Sequence, residues 1–583
     1  MVSRKNRTSS VVLLLFVCKI WSFDNGPAAA PIPEGVSLSF KSPLTKVFPE
    51  SPVEPVENTW DVAMARGERE SFQILIHGGK LGIRNAMVQN RFRGKPGLEA
   101  ELSLVGFVHT AAGDPRPWAK AEGAGRVGWW PDPLLPNRPF DVAPRETQPI
   151  WVTIYAPPAA PPGRYQGALE VRFGNGARRT MPYRIRVFPV DLPASQQLRN
   201  AAFMPAGNLS AHYKPAGGME SPDFFELYKR WARKAFSQHL GPTFDMMMGW
   251  NQESFRSPTT SGPLGPTKEM ALGREKTHLV WPVLGDAGSY DFHLTDELAA
   301  LGRQYGMRQF SIAIFNRGET WDQHSEEMKS AMAAYLKAYA SHLRARGMLE
   351  DAYVYNVDEP PEDKWDTVRN NYRFVKSVEP ELKTWLCLNQ PKAVRELQHY
   401  TDILDVYIRQ YRSSGVAANL QPGKQLIWAV CVWPHEHPNL FIEYPGEDAR
   451  AIGWLTYRYG ISGFEYWGLN QWGPNTGRRD WANFQNGGTR TSWRVTKFPW
   501  GDGWLFYPGD QGEPLSSVRF ENLRDGFEDA EMLLLLARRG HKSEADALAA
   551  SLASSIESYS SDPSRFQAAH LRLLELLAAN PGN

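Results

Sequence analysis

Two adjacent carboxylates follow an apolar run near the middle of the chain. The run from Tyr353 to Val357 is typical of a buried strand, and Asp358 and Glu359 come directly after it. Pro360 and Pro361 then stop the backbone pairing, which places both acids where a strand opens into a loop. Such a pair can transfer protons and orient a substrate, and it can equally brace a loop or cap the following helix.

The adjacency of these two acids favours one form of glycoside hydrolysis. The ordinary retaining route needs two carboxylates roughly 5–5.5 Å apart that flank the sugar, whereas sequence neighbours approach it from one side. Neighbours suit a substrate-assisted route, in which the 2-acetamido oxygen of the substrate attacks the anomeric carbon. Asp358 would orient the acetamido group and Glu359 would protonate the leaving oxygen, with Asn356 pointing the same way as Asp358. Two close carboxylates also resist joint ionisation, which keeps one proton available near neutral pH.

Two further strand ends carry side chains suited to holding a sugar. Indole and phenol rings stack on the faces of sugars, and amides bond their hydroxyl groups. The residues predicted to bind the substrate are Asn356, Trp433, His435, Tyr466, Trp467, Asn470 and Trp472. His435 and His437 form a His-x-His pair, but no second cluster stands at ligand spacing, so we predict no bound metal.

The elements that would position these groups alternate between strand and helix over residues 194–510. A chain of 583 residues is too long for one core, and about eight βα units predict a (β/α)8 TIM-like barrel with its reacting groups at the carboxyl ends of strands. An open doubly wound sheet is the alternative, but no glycine-rich phosphate turn follows the early strands. Residues 36–193 show short alternating runs between Pro and Gly clusters, which predict an all-β sandwich.

The last part of the chain, residues 511–583, has helical periodicity. It is predicted to form one helix from Ser516 to Arg539 and a second from Ser543 to about Ala579, both packed against the barrel. Acids and bases interleave from Arg519 to Asp529. Such a pattern is typical of a solvated or ion-paired helix face, so we assign this segment to domain packing rather than to a site.

Composition and charge exclude several classes of protein. The 65 basic and 63 acidic side chains nearly cancel and form no basic tract, so nucleic acid is not an expected partner. Residues 1–30 show the order of a secretory signal peptide, with basic residues, a short apolar run and a small-residue stretch. The apolar run is too short to span a bilayer, so we expect a secreted or periplasmic protein without a stable membrane span. Cys387 and Cys431 lie in apolar strands and are interpreted as buried thiols.

Several ordered motifs resemble glycoside hydrolase family 123. The stretches Ala65 to Gln73 and Pro131 to Pro136 are similar to the N-terminal domain of that family. The motifs similar to its catalytic domain are Asp358-Glu359-Pro360, Tyr466 to Asn470, Gly503 to Gly509, and then Arg519, Leu523, Arg524, Asp525, Gly526 and Glu528. The resemblance covers most of the chain. It implies a retaining, acetamido-assisted β-N-acetylgalactosaminidase with no metal or other cofactor, in which Asp358 is the stabiliser and Glu359 the acid/base.

Two other functions are compatible with the sequence. A non-catalytic glycan-binding surface protein could use the same scaffold, because a fold does not fix a function. A glycosidase acting on a sugar without an acetamido group would need a second carboxylate across the pocket, for which Glu465 and Glu436 are the candidates. In each case the partner is a glycan or glycoconjugate, and the presence of both Asp358 and Glu359 favours the enzyme.

Overall fold

The computed structural model describes most of the chain. The described residues are 30–52, 59–94, 97–110, 128–218, 221–242, 283–284, 290–308, 310–312, 322, 326–355, 357–431, 437–472, 478–479, 490–494 and 499–582. Residues 1–29 of the predicted signal peptide lie outside them. Among the described residues, no helix is both long and apolar enough to cross a bilayer.

The N-terminal part consists of two β-sheets, in agreement with the alternating pattern. Its strands are β1 Ser37–Lys41, β2 Trp60–Arg66, β3 Arg69–His77, β4 Ile83–Phe92, β5 Glu99–Thr110, β6 Gly128–Pro136, β7 Phe140–Val142, β8 Thr147–Tyr155, β9 Gly163–Arg172 and β10 Arg178–Asp191. One sheet contains the order β1-β3-β8-β5 with β6 also paired to β5, and the other has the order β2-β10-β9-β4-β7. The sheets share one core, in which the rings of Phe72 and Tyr183 lie 5.2 Å apart. β10 alternates buried and exposed residues because its outer face is largely solvated.

The central part is built on parallel strands. The remaining strands are β11 Ala201–Ala202, β12 Gly241–Pro242, β13 Val283–Leu284, β14 Tyr290–Asp291, β15 Phe310–Ile312, β16 Ala352–Tyr355, β17 Lys383–Leu388, β18 Ile403–Tyr407, β19 Gln425–Ala429, β20 Gly463–Tyr466, β21 Arg478–Arg479, β22 Arg490–Arg494, β23 Tyr507–Pro508 and β24 Pro514–Leu515. Eight of them form one parallel sheet in the order β12-β11-β20-β19-β18-β17-β16-β15. The last strand, β20, pairs with the first, β11, as in a (β/α)8 barrel. No pairing among the described residues joins β12 to β15, so complete closure stays a prediction.

Helices alternate with these strands and end the chain. They are α1 Ala206–Tyr213, α2 Pro222–Phe236, α3 His293–Gln304, α4 Glu326–Ala345, α5 Trp365–Val378, α6 Pro391–Leu397, α7 Val416–Asn419, α8 Gly446–Arg458, α9 Val518–Leu536, α10 Lys542–Leu552 and α11 Pro563–Ala579. The C-terminal region is helical as predicted, but the periodic stretch after residue 542 is two helices. Asp562 caps α11, accepting a hydrogen bond from the backbone N–H of Ser564, and Pro563 occupies the first helical position.

Backbone pairing connects the predicted domains. β22 pairs in parallel with β5, so a segment of the predicted barrel domain extends a sheet of the sandwich. The N–H of Leu134 donates to the carbonyl oxygen of Ser516 at 2.8 Å, which joins β6 to the start of the C-terminal helices. The predicted bounds of 36–193, 194–510 and 511–583 stay predictions, and these contacts cross all of them.

The charged residues at the start of α9 are buried where these parts meet. Arg519 donates from two of its nitrogens to the two carboxylate oxygens of Asp132, at 2.8 Å each. Arg524 forms ion pairs with Glu521 and Asp525. The predicted ion-paired packing face is therefore present, but it is buried rather than solvated, because the sandwich and α8 cover it.

α8 and α9 approach each other closely at two glycines. A Cβ on Gly453 of α8 would overlap the carbonyl oxygen of Gly526 on α9. The two helices could therefore not pack this closely with larger residues at these two positions. The contact aligns Arg450 and Trp454 of α8 with Asp529 of α9, which accepts hydrogen bonds of 2.7 Å from Arg450 Nε and from Trp454 Nε1. Gly526 is thus required by helix packing.

His570 on α11 completes the buried cluster as a cation. Its Nδ1 lies 2.8 Å from Oδ1 of Asp529 and its Nε2 lies 3.0 Å from the carbonyl oxygen of Ala63. Both ring nitrogens face acceptors, so both carry protons. The ligand atoms of Glu68, Glu70 and His570 lie within 4.8 Å of one another, but a doubly protonated imidazole cannot ligate a metal. Burial opposes the charge, yet the neighbouring carboxylates outweigh it and raise the pKa of His570 to about 10.

This imidazolium predicts a pH dependence of stability. The folded pKa of about 10 lies above the ordinary value of 6.5, so the contribution of His570 is complete below pH 6.5 and is lost as the pH rises through about 10. We expect His570→Gln to lower the free energy of unfolding most at pH 6.5, and the difference from the parent to shrink towards pH 10. Urea unfolding across this range measures it, with the exposed His399→Gln as control. A pH-independent difference would contradict a charged ring.

Candidate active site

Asp358 and Glu359 lie at the carboxyl end of β16, where the sequence places them. Both are half-buried. The hydroxyl of Tyr355, on the same strand, donates a 2.7 Å hydrogen bond to Oδ1 of Asp358. The backbone N–H of Glu359 donates to the carbonyl oxygen of Cys387 on β17 at 3.2 Å. The pair is therefore held by two adjacent strands of the parallel sheet.

The backbone of Glu359 explains how two consecutive side chains face the same space. Successive residues of a strand point to opposite faces. Glu359 has a φ of 46°, a left-handed conformation that costs a non-glycine residue on the order of 1–3 kcal/mol. This turn ends the alternation. Asp358 then bonds to Tyr355 while Glu359 bonds to Tyr407 and Asn389, which stand at the ends of the next strands.

Glu359 is the acid of the pair whose surroundings favour the protonated form. Burial raises its pKa above the ordinary value, and the charge of Asp358 raises it further. Hydrogen bonds from Tyr407 and Asn389 partly oppose this rise. Sequence reasoning missed both of these partners, because each is a single polar residue at the end of an apolar run.

Two more carboxyl groups lie inside the sheet beneath the pair. Asp405 on β18 and Glu465 on β20 are both buried and point inward. Burial raises the pKa of Asp405 to about 8. Trp385 Nε1 donates a 3.3 Å hydrogen bond to Oδ2 of Asp405, which partly opposes this rise. Burial also raises the pKa of Glu465 well above its ordinary range, and the nearby acids add to the rise. Burial therefore favours the protonated, neutral form of both groups.

The inner face of the parallel sheet is otherwise apolar and aromatic. The side chains that form it are Ala201, Phe203, Tyr353, Tyr355, Trp385, Cys387, Ile403 and Ile427, with Tyr407 and Trp467 packed against them. Such an interior has a low effective dielectric constant, which accounts for the raised pKa values of the acids. Cys387 and Cys431 are free thiols, and burial raises the pKa of both well above the ordinary value. Cys387 is buried in β17, as predicted for a core cysteine, whereas Cys431 lies two residues beyond the end of β19 and is half-buried; the raised pKa of each thiol opposes a nucleophilic role.

Trp467 is the aromatic residue of the loop after β20 that best fits a sugar-binding surface. It is half-buried, contacts the inner aromatic face, and donates from Nε1 to Oδ1 of Asp502 at 2.8 Å. Gly503 has a φ of 82°, and a Cβ there would overlap the indole of Trp467. The neighbouring Tyr466 is fully buried, and its hydroxyl accepts the N–H of Gly503 at 2.9 Å. Tyr466, Asp502 and Gly503 thus fix the position of Trp467.

Asn470 and Trp472 are buried and bonded within the chain. The amide of Asn470 donates to the carbonyl oxygen of Pro205 at 3.2 Å, and Nε1 of Trp472 donates to that of Phe506 at 3.0 Å. The ring of Trp472 also packs 5.2 Å from that of Trp231. Their predicted contact with substrate stays a prediction, as does that of Tyr466. The predicted site residues outside the described part of the chain are Asn356, Trp433 and His435.

An acid pair stands at the carboxyl ends of parallel strands above an aromatic floor, and burial favours the protonated form of Glu359, an arrangement compatible with a glycoside hydrolase. The sequence profile described as Glycoside hydrolase 123, catalytic domain, matches residues 278–536. A second profile, described as Glycoside hydrolase 123 N-terminal domain, matches residues 46–173. The chain therefore belongs to glycoside hydrolase family 123.

A solved structure shares this fold. It is a family 123 glycoside hydrolase from Clostridium perfringens, whose description concerns glycolipid glycan hydrolysis, with a TM-score of 0.66 and 14% identity over 93% of this chain and 99% of that one. A glycosyl hydrolase family 2 member from Bacteroides cellulosilyticus has a TM-score of 0.25 and 10% identity over 74% of this chain and 44% of that one. That score establishes no shared fold. A search of curated proteins finds no match to this sequence.

Proposed function

We propose that this protein removes a terminal β-linked N-acetylhexosamine, in particular N-acetylgalactosamine, from a glycan or glycoconjugate with retention of configuration and with assistance from the substrate. One observation carries the proposal: the two adjacent acids have different settings. A tyrosine hydroxyl holds Asp358 in place, whereas burial and the neighbouring charge favour the protonated form of Glu359. Membership of family 123 supports the reaction class.

In this mechanism the two acids have different tasks. Asp358 accepts the acetamido N–H and turns the acetamido oxygen towards the anomeric carbon. As that oxygen attacks, the glycosidic C–O bond breaks and Glu359 gives its proton to the leaving oxygen. The cyclic oxazolinium ion that forms is opened by water, which loses a proton to Glu359. Two displacements at the same carbon retain its configuration.

The interior acids support substrate assistance over a carboxylate nucleophile. A nucleophile must be ionised, but burial raises the pKa of Asp405 to about 8 and that of Glu465 well above its ordinary value. Glu465 therefore fits poorly as the second carboxylate of an ordinary retaining glycosidase. Glu436, the other candidate for that role, lies outside the described residues.

The proposal extends to architecture and location. The sequential strand order and the pairing of β20 with β11 support closure of the parallel sheet into a (β/α)8 barrel. The order of basic, apolar and small residues in 1–30 supports export to the periplasm or the medium. An exported enzyme would meet glycoconjugates outside the cytoplasm, and glycolipid glycans, named in the description of the Clostridium perfringens relative, are one class to test.

Chromogenic aryl glycosides test the proposed function. We expect hydrolysis of β-N-acetylgalactosaminide, weaker hydrolysis of β-N-acetylglucosaminide, and no hydrolysis of β-galactoside, because only the first two carry the acetamido group. A thiazoline analogue of the cyclic intermediate should inhibit competitively. Activity on the galactoside alone would reject substrate assistance. Binding of glycans without hydrolysis of any of them would favour the non-catalytic alternative.

The hydrogen bond from Tyr355 provides a test of how Asp358 is positioned. Hydrogen bonds to charged groups contribute about 1.5–3 kcal/mol, so we expect Tyr355→Phe to lower kcat/KM at least about tenfold. The same change made in an Asp358→Asn background should add little, because the partner is already altered. Steady-state kinetics measures kcat/KM for the parent, the two single variants and the double variant, which together form a double-mutant cycle. Equal losses in both backgrounds would mean that Tyr355 acts independently of Asp358.

A further inference from the structure

A cavity of about 750 Å³ lies apart from the candidate active site, where α11 packs against the sandwich. Its walls come from strands β2, β9 and β10 of the five-stranded sheet and from α11, and Glu70 and Arg450 also line it. A volume of this size is typical of sites for small ligands, which range over roughly 300–1,000 Å³.

Two arginines that line this cavity stand opposite each other in the sheet. Arg164 on β9 and Arg186 on β10 are directly opposite in the antiparallel ladder, an arrangement that like charges make unfavourable. Their neighbour Arg184 is neutralised by Asp61, to which it donates two hydrogen bonds of 2.6 and 2.5 Å. Among the described residues no carboxylate forms an ion pair with Arg164 or Arg186. The guanidinium of Arg186 lies 4.0 Å from the ring centroid of Phe188 instead.

The other walls carry groups that suit a sugar. Gln166 on β9 and Gln567 on α11 present side-chain amides. Amides bond hydroxyl groups. Guanidinium groups bind carboxylate or sulfate oxygens through paired hydrogen bonds, and Arg164 and Arg186 stand at directly opposite positions of the ladder.

We propose that this cavity is a second, non-catalytic site that binds an anionic sugar residue, one bearing a carboxylate or a sulfate group. Arg164 and Arg186 hold the anion, and the amides of Gln166 and Gln567 bond the sugar hydroxyls. The choice of a glycan as ligand rests on the proposed function. The site would extend the substrates to acidic glycans by holding a part of the chain remote from the bond that is cleaved.

Direct binding tests this proposal. The probes are a chondroitin 6-sulfate tetrasaccharide, its unsulfated chondroitin counterpart and the neutral tetra-N-acetylchitotetraose. Each is titrated calorimetrically into full-length protein that carries Glu359→Gln to prevent hydrolysis. We expect Arg164→Ala/Arg186→Ala to weaken binding of an anionic tetrasaccharide at least about tenfold. The matched control is Arg178→Ala/Arg179→Ala, which removes the same charge from the other, exposed end of β10 and should leave the affinity nearly unchanged.

The outcomes separate the possibilities. Equal affinity for the two chondroitin probes assigns the anion as a carboxylate, and preference for the sulfated one assigns it as a sulfate. Three results would reject the proposed site. They are equal weakening of binding in both double variants, binding of the neutral probe as tight as that of the anionic probes, and no binding of either anionic probe by the parent. Binding is read without turnover, so inactivity towards aryl N-acetylgalactosaminides would reject the proposed function and leave this proposal standing.

Discussion

Replacing Glu359 with Gln is expected to lower kcat/KM by about 10²–10⁴-fold for glycans and other substrates with poor leaving groups. The loss should be far smaller for 2,4-dinitrophenyl N-acetylgalactosaminide, because this leaving group departs without a proton. Water must still attack without a general base, so kcat on that substrate should fall and azide should partly restore it. Kinetics on a series of aryl glycosides of increasing leaving-group pKa measures the effect.

The control for this variant is Glu362→Gln. Glu362 lies three residues further along the same loop, is exposed, and pairs with Lys392 on the surface, so its removal should leave every rate nearly unchanged. A Glu359→Gln protein that loses the same factor on every leaving group would contradict the role of Glu359 as acid. Full activity on poor leaving groups would also contradict it.

Replacing Arg519 with Met is expected to lower the free energy of unfolding by about 3–5 kcal/mol. The side chains of Arg519 and Asp132 are 3% and 0% exposed, and the guanidinium also donates to the carbonyl oxygens of Gly501 and Trp504 at 2.8 and 2.9 Å. Met would leave the buried carboxylate of Asp132 with Tyr507 as its remaining described hydrogen-bond donor. Urea unfolding followed by tryptophan fluorescence measures the change.

A matched pair on the surface provides the control. Arg84 and Asp141 are also bonded, but their side chains are 88% and 51% exposed, so Arg84→Met should change stability by less than about 1 kcal/mol. Arg519→Lys keeps the charge and loses the fork geometry, so it should fall between the parent and Arg519→Met. Equal effects of Arg519→Met and Arg84→Met would show that burial does not determine the strength of these pairs.

The local elements of this protein were largely predictable, because hydrophobic periodicity and stop signals act over a few residues. The sandwich strands, the run of strand and helix after residue 194, and the strand that ends at the acid pair follow from pattern alone. The break between α10 and α11 was missed although its signal was present. Asp562 followed by Pro563 marks a helix start, but the apolar spacing on either side concealed it.

The sequence by itself determined where Asp358 and Glu359 stand and that they are neighbours, because chain connectivity alone brings them together. Only the tertiary structure decided that the pKa of Glu359 is raised, since burial is the main cause and the hydrogen bonds from Tyr407 and Asn389, at two other strand ends, oppose it. It also placed Asp405 and Glu465 inside the sheet and buried the charges of α9 against the sandwich. Burial and the pairing of distant residues set these pKa values and ion pairs, and both are properties of the packed chain.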